Sequence, residues 1–213
     1  MREADALDSG ERQVGATLEE IRADHVERYL WARRRIEGIG LPGLRVIDAG
    51  CGTGYGAHIL AQSPAVATVD AFDCSAAAID YACEHWPDVK ILWSAGQEFR
   101  PVADRYDVAV CLEAIEHVAD DVGFLARLLV ADRLILSTPD GPSWRVPPPR
   151  FHVRHYDRDG LAALLTAAGW RGRPAFFWQQ REGKGRVLDF AHSRDPDAAL
   201  QTMLAAVNRE PAR

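Results

Sequence analysis

Glu113, Glu116 and His117, in the stretch CLEAIEHVADD (111–121), are the residues whose types and spacing best suit chemistry in this chain. On a helix, residues three and four apart share a face, so two carboxylates and an imidazole would converge on one point. Three readings follow. The acids can simply favour a helix N-terminus, where negative side chains are stabilised. The imidazole can act as a general base oriented by a carboxylate, since imidazoles ordinarily titrate near neutrality. Or the trio can hold a divalent cation, because oxygen and imidazole ligands suit Mg²⁺, Mn²⁺ or Zn²⁺. The choice depends on what the rest of the chain builds around them.

The elements that would position these residues alternate between strand and helix patterns. LRVIDAG (44–50), ATVDAFD (67–73), VKILWS (89–94), YDVAVCL (106–112) and RLILST (133–138) read as buried strands. Helical patterns separate them, one starting at GYGAHILAQS and one in SAAAIDYACEHW with Ser75 as N-cap. Another runs from about Asp120 to Val130, and DRDGLAALLTAAGW ends at Gly169. PAFFWQQ and RVLDFAH, joined by REGKG, read as a terminal hairpin. Such alternation predicts parallel strands with right-handed crossovers. The fold class expected is α/β: a doubly wound, mostly parallel, seven-stranded Rossmann-like sheet with an antiparallel edge strand. LEEIRADHVERYLWARRRI adds an amphipathic helix in front. We expect a single domain, with residues 1–40 as a helical lid, 41–195 as the core and 196–213 as a C-terminal helix or tail. Trp31 is expected to pack on the sheet, and Tyr29 and His25 to join the lid.

Ligands of such sheets bind beyond the carboxyl ends of the strands. The first strand ends in Asp48-Ala-Gly50-Cys51-Gly52-Thr-Gly54-Tyr-Gly56, where glycines let the backbone pass close under a ligand. A glycine-rich turn alone is weak, because Gly52-Thr-Gly54-Tyr-Gly56-Ala57 also fits a dinucleotide-binding pattern. Asp73, at the end of the second strand, suits ribose hydroxyls in either case. Asp48, an acid inside the first strand's end, favours an amine-bearing ligand over a nicotinamide dinucleotide. No Tyr-x-x-x-Lys-type hydride-transfer motif supports a nicotinamide-dependent oxidoreductase.

Composition narrows the setting. The chain has 213 residues, 47% hydrophobic and 26% charged, enough to bury a substantial core. The four cysteines form no C-x-x-C pair, and MREADALDSGERQ lacks the apolar core of a signal peptide. No apolar run reaches the length of a membrane span, so a cytoplasmic setting without membrane contact is expected. A net charge of −6 argues against nucleic-acid binding. Bases nevertheless dominate from Pro142 to Arg186, as a solvated surface or as local attraction for an anionic substrate.

VIDAGCGTGYG, VDAFDCS, YDVAVCLEAIEHV and LILSTPDG, in that order, resemble the class I S-adenosylmethionine-dependent methyltransferases over about residues 40 to 180. ERQVGATLEEIRADHVERYLWA, STPDG and RFHVRHYDRDGLAALLTAAGW are closer to small bacterial enzymes of polysaccharide and natural-product pathways. The resemblance implies S-adenosyl-L-methionine as cofactor, with Gly50, Cys51 and Gly52 under its methionine part and Asp48 near its amino group. It implies Asp73 on the ribose hydroxyls and Cys74 against the adenine. Cys111 is placed with the cofactor-binding residues. The acid often found after the third strand is Ala95 here, leaving Gln97 as its substitute. The E-x-x-E-H pattern also resembles the small-RNA 3′-end 2′-O-methyltransferases and the ubiquinone-pathway O-methyltransferases. The small-RNA enzymes need a further histidine ligand, for which His152 or His155 is available.

A sulfonium methyl is already electrophilic, so the protein must chiefly align the reactants and exclude water. A hydroxyl acceptor adds the need for a base. We therefore expect O-methylation of a sugar-containing or other small metabolite by a monomer or homodimer, with Glu113, Glu116 and His117 catalytic and His117 as base. Tyr29, Trp144, Arg150 and His152 are the expected acceptor contacts. N-methylation, and cofactor binding without catalysis, are the alternatives. The metal reading, with Glu113, Glu116, His117 and His152 as ligands, is not favoured. His152 would have to cross the proline-rich loop SWRVPPPR to complete the shell.

Overall fold

Val46 and Ile47 are neighbours in strand β1 (Leu44–Ala49), yet both are fully buried and belong to different hydrophobic clusters. Side chains alternate across a strand, so this pair alone requires cover on both faces of the sheet. The computed structural model supplies it. It describes residues 7, 12–96, 98, 100, 101, 103–143, 150–180, 187–189 and 200–209. Gln97 and Trp144 lie outside that set.

One face is covered by α1 (Ala23–Glu37), α2 (Tyr55–Ala61) and α3 (Ala76–His85), the other by α4 (Asp121–Arg127) and α5 (Arg158–Ala167). Between them run β2 (Val66–Asp73), β3 (Ile91–Ala95), β4 (Tyr106–Leu112), β5 (Ala131–Pro139), β6 (Ala175–Gln180), β7 (Val187–Asp189) and β8 (Leu200–Asn208). The order is β3-β2-β1-β4-β5-β8-β6-β7. The β3-β2-β1-β4-β5 pairs are parallel, and β8 is antiparallel to both β5 and β6.

Helix starts follow local chemistry. Ser75 Oγ accepts from Ala78 N at 3.2 Å, Asp120 Oδ1 from Gly123 N at 2.9 Å and Asp157 Oδ1 from Gly160 N at 2.7 Å. Each side chain satisfies an otherwise orphaned donor of the first turn, worth about 1 kcal/mol. After α5, Gly169 turns at φ 96° and aims the buried Trp170 so that its indole N–H meets Leu125 O at 3.1 Å. That contact ties α5 to α4.

The expected doubly wound sheet with an antiparallel edge strand is present: three-residue β7 forms that edge beside β6, and the long antiparallel strand β8 lies between β5 and β6. Two other expectations need correction. Strand β8 occupies 200–208, where a C-terminal helix or tail was expected. Pairing with β5 and β6 on both sides satisfies its backbone and overrides local preference. The N-terminal helix is also more than a lid. Tyr29, Trp31, Ala32 and Ile36 of α1 are buried in the core, and the Trp31 ring lies 5.0 Å from that of Phe177. Gln179 of β6 donates from its side chain to Asp24 O at 2.8 Å. Burying the large side chains of α1 contributes about 1.5–3 kcal/mol each, so the helix is a fixed layer of the fold.

Candidate active site

Gly50, Gly52 and Gly54 carry the chain from β1 into α2 with φ of 87°, 56° and 91°. Side chains rarely adopt such values, and at Gly50 and Gly54 space excludes them too. A Cβ on Gly50 would lie 2.5 Å from Ala114 Cβ, and one on Gly54 2.5 Å from Ala82 Cβ. Gly50 N and Cys51 N both donate to Phe72 O, at 2.8 and 2.9 Å, binding the turn to β2. Asp73 closes the arrangement: Oδ2 accepts from Gly52 N, and Oδ1 from Ser75 N, each at 2.9 Å.

A cleft of about 490 Å³ opens at this end of the sheet. Gly50, Cys51, Gly52, Asp73 and Cys74 line it, as do Tyr29, Glu113 and His117. Asp48 and Cys111 do not. Both are fully buried, and Cys111 belongs to the core cluster beneath α4 and α5. Burial pushes the Cys111 thiol well up, away from the thiolate. Arg150 is exposed and does not line the cleft. Sequence reasoning missed Arg12, Tyr55, Phe72, Glu98, Phe124 and Arg127, all cleft-lining. Glu98 had a signal, being the acid nearest the expected place after β3. Arg12 had none: its guanidinium reaches Asp73 Oδ1 at 3.0 Å from 61 residues away.

Asp48 is held by Tyr29, whose hydroxyl donates to Oδ1 at 3.1 Å. The Tyr29 ring also fills the space over Gly56, where a Cβ would meet its carbons at 2.1–2.4 Å. Burial, opposed by the Tyr29 hydrogen bond and reinforced by Asp73, raises the Asp48 carboxyl from 3.8 to about 7. The folded state therefore keeps this proton longer than the unfolded chain does. That contribution to stability is complete below 3.8 and is lost as pH rises through about 7. Asp48→Asn keeps an oxygen for Tyr29 and removes the charge. Thermal melts should show the variant gaining on the parent protein as pH rises from 5 to 8, with the two converging near pH 4. A constant difference across that range would contradict the burial argument.

The acid–base trio is not arranged as a helix would place it. Glu113 adopts φ 52°, and only Ile115–His117 form a single 3₁₀ turn. Ser137 fixes Glu113, accepting from its N–H and donating to Oε1 at 2.8 Å. Glu113 Oε2 lies 2.9 Å from Nη1 of Arg28, a fully buried arginine whose Nη2 also donates to Asp24 Oδ2 at 2.9 Å. Burial works against the Arg28 charge, but Glu113 and Asp24 outweigh it and raise its pKa. Glu116 is buried, and desolvation together with Glu113 pushes its carboxyl well up. His117 keeps one face to the cleft, and its Nδ1 meets Phe151 O at 3.1 Å. A carbonyl can only accept, so Nδ1 is the donor, and Nε2 lies 3.9 Å from Glu116 Oε1. The other cleft histidine, His25, is pushed down to about 2 by burial, Arg28 and Arg22, which makes it too weak a base.

His152 is brought to this turn. Val153 N donates to Glu116 O at 2.7 Å, and the His152 and His117 rings lie 4.8 Å apart. Burial, His117 and His155 lower His152 to about 4, leaving it neutral. Glu116, His117 and His152 each offer one ligand atom, all within 4.8 Å of one another. Glu113 leaves that candidate set, because Arg28 occupies it. Nor does the basic run simply face an anion: Arg154 pairs with Asp121 and Arg158 with Asp159.

A glycine cradle under a cleft, with a carboxylate at the end of β2, defines a nucleoside-cofactor site on a Rossmann-like sheet. The chain belongs to the methyltransferase domain family, whose model matches residues 19–175. It is 34% identical over 134 residues to a probable S-adenosylmethionine-dependent methyltransferase of Mycobacterium tuberculosis, covering 59% of this chain and 48% of that protein. A ubiquinone biosynthesis O-methyltransferase of Rhodopseudomonas palustris is 33% identical over 99 residues, covering 41% and 35%. The chain thus spans about half the length, or less, of these curated relatives. Two solved structures share the fold. A magnesium protoporphyrin IX methyltransferase from Synechocystis with bound S-adenosylhomocysteine has TM-score 0.66 at 19% identity, covering 98% and 93%. A small RNA methyltransferase has TM-score 0.68 at 18%, covering 94% and 27%. S-adenosyl-L-methionine is the cofactor of this domain, and the nicotinamide reading is withdrawn. The residues fit that group: the turn has room only for glycine on the cleft side at Gly50, and Asp48 Oδ2 is buried without a hydrogen-bond partner among the described residues. None of the described helices is long and apolar enough to cross a membrane.

Proposed function

We propose that the chain transfers a methyl group from S-adenosyl-L-methionine to a hydroxyl of a sugar-containing or other small metabolite, with His117 as general base. One observation carries this reading. Of the three groups at the rim, Glu113 is paired with the buried Arg28, Glu116 is itself buried with its carboxyl pushed up, and His117 lines the cleft with Nδ1 turned to Phe151 O, which points Nε2 to the acceptor. The cofactor supplies an electrophilic methyl group on a sulfonium. Asp73 and the Gly50–Gly52 turn would hold its ribose and methionine ends, with Asp48 beneath the turn as the nearest buried acid to its amino group, and Glu98, beside the place expected of Gln97, would read the adenine. Phe151 O holds the imidazole by Nδ1–H. As the acceptor oxygen attacks, Nε2 takes its proton and later releases it to water. That Rhodopseudomonas palustris relative is by name an O-methyltransferase, which favours oxygen over nitrogen.

A second reading has its own observation, the Glu116–His117–His152 grouping. A divalent cation there would lower the acceptor hydroxyl's pKa in place of a base. Methyl-labelled cofactor offered to matched panels of sugar hydroxyls and amines, with and without chelator, separates these readings. The base reading expects label on hydroxyls regardless of chelation. Label confined to amines would overturn oxygen as acceptor, and activity lost on chelation and restored by Mg²⁺, Mn²⁺ or Zn²⁺ would replace the base by the metal.

A further inference from the structure

A second cavity, about 520 Å³, lies at the other end of the sheet from the cofactor cleft. It is bounded near the starts of β4, β5 and β6 and by the end of α1. Its depth has a simple cause. Ile135 of β5, Ala206 of β8 and Ala175 of β6 are direct neighbours across the strands, and two of the three are alanines where strands usually carry bulkier side chains. Four arginines reach this cavity: Arg34, Arg35, Arg133 and Arg173. Among the described residues, no Asp or Glu lines it. Arg34 is neutralised by Glu27 at 2.5 Å. Arg35, Arg133 and Arg173 form no ion pair among the described residues, and the Arg35 guanidinium carbon lies over the Phe177 ring, 4.4 Å from its centroid.

Like charges converging on a groove repel one another, and the chain as a whole carries 31 acids to 25 bases, so the arrangement is not forced by composition. An extended polyanion would be repelled by the net charge of −6. A compact one would not. Guanidinium forks match phosphate oxygens in pairs, the Ile135–Ala206–Ala175 floor accepts apolar surface, and the volume is that of a small-molecule site. We propose that this groove binds a small phosphate monoester with an apolar body, at a site separate from the methyl-transfer cleft.

The full chain, saturated with S-adenosylhomocysteine so that the cleft is filled, is titrated calorimetrically with 1-naphthyl phosphate, 1-naphthol and inorganic phosphate. Saturable 1:1 binding of naphthyl phosphate, weakened by salt and about tenfold or more tighter than either fragment, is the expected result. The Arg133→Ala/Arg173→Ala double variant should lose about tenfold or more of that affinity. Ala206→Leu should lose as much by filling the floor. Its thermal melt shows whether it is folded; if it is not, the arginine variant decides. Absence of saturable binding, equal binding of naphthol, or affinity untouched in the arginine variant overturns the proposal.

Discussion

His117→Ala lowers methyl transfer by about two to four orders of magnitude, the range typical for loss of a positioned general base, while S-adenosylhomocysteine binds as it does to the parent protein. The split follows from the geometry. The cofactor's turn is built from Gly50–Gly54 and Asp73, whereas the proposed base, His117 Nε2, belongs to the turn after β4. Glu116→Gln, which keeps a neutral hydrogen-bonding side chain where burial disfavours a charged one, should be mild. Under the metal reading the same substitution is as damaging as His117→Ala, because a ligand is lost. Single-turnover rates, set beside calorimetric affinities, check both statements. Equal rates in His117→Ala and parent protein would remove His117 from the chemistry.

Arg28→Met destabilises the protein by about 3–5 kcal/mol, the usual consequence of breaking a buried ion pair from one side. Glu113 and Asp24 both face Arg28 at 2.9 Å, and Arg28 itself has no exposed surface. Removing the acids as well should restore most of the loss, since a buried ion pair replaced as a whole by groups of similar size is often neutral. Arg28→Met with Asp24→Asn and Glu113→Gln should therefore unfold in urea nearer to the parent protein than Arg28→Met does. A single variant within about 1 kcal/mol of the parent protein would mean that the network adds little, as exposed pairs do.

Local signals carried the sequence a long way. Strand–helix alternation located β1 to β5, Ser75 is the N-cap expected, and Asp48-Ala-Gly50 to Gly54 marked the cleft because its glycine conformations are imposed locally. What failed depended on contacts distant in the chain. DAALQTMLAA (197–206) is rich in good helix formers, and only pairing with β5 and β6 turns its second half into β8. Glu113 looked like a helix-face residue, but Ser137 and Arg28, 24 and 85 positions away, decide its backbone and its charge partner. The layer role of α1 did have a signal. Tyr29, Ala32 and Ile36 fall on one stripe, beside the prominent charges of Arg33, Arg34 and Arg35.

The internal place of β8 bears on how the molecule is made. Synthesis delivers the cofactor half first, and β6 emerges long before the strand that separates it from β5. Until β8 arrives, the edges of β5 and β6 must wait unpaired, each offering a row of free backbone donors and acceptors to any passing strand. The final step of folding is thus an insertion into a slot rather than an addition at a border. A nascent or clipped chain without β8 presents two open edges, and association with its own copies competes directly with completion of the sheet.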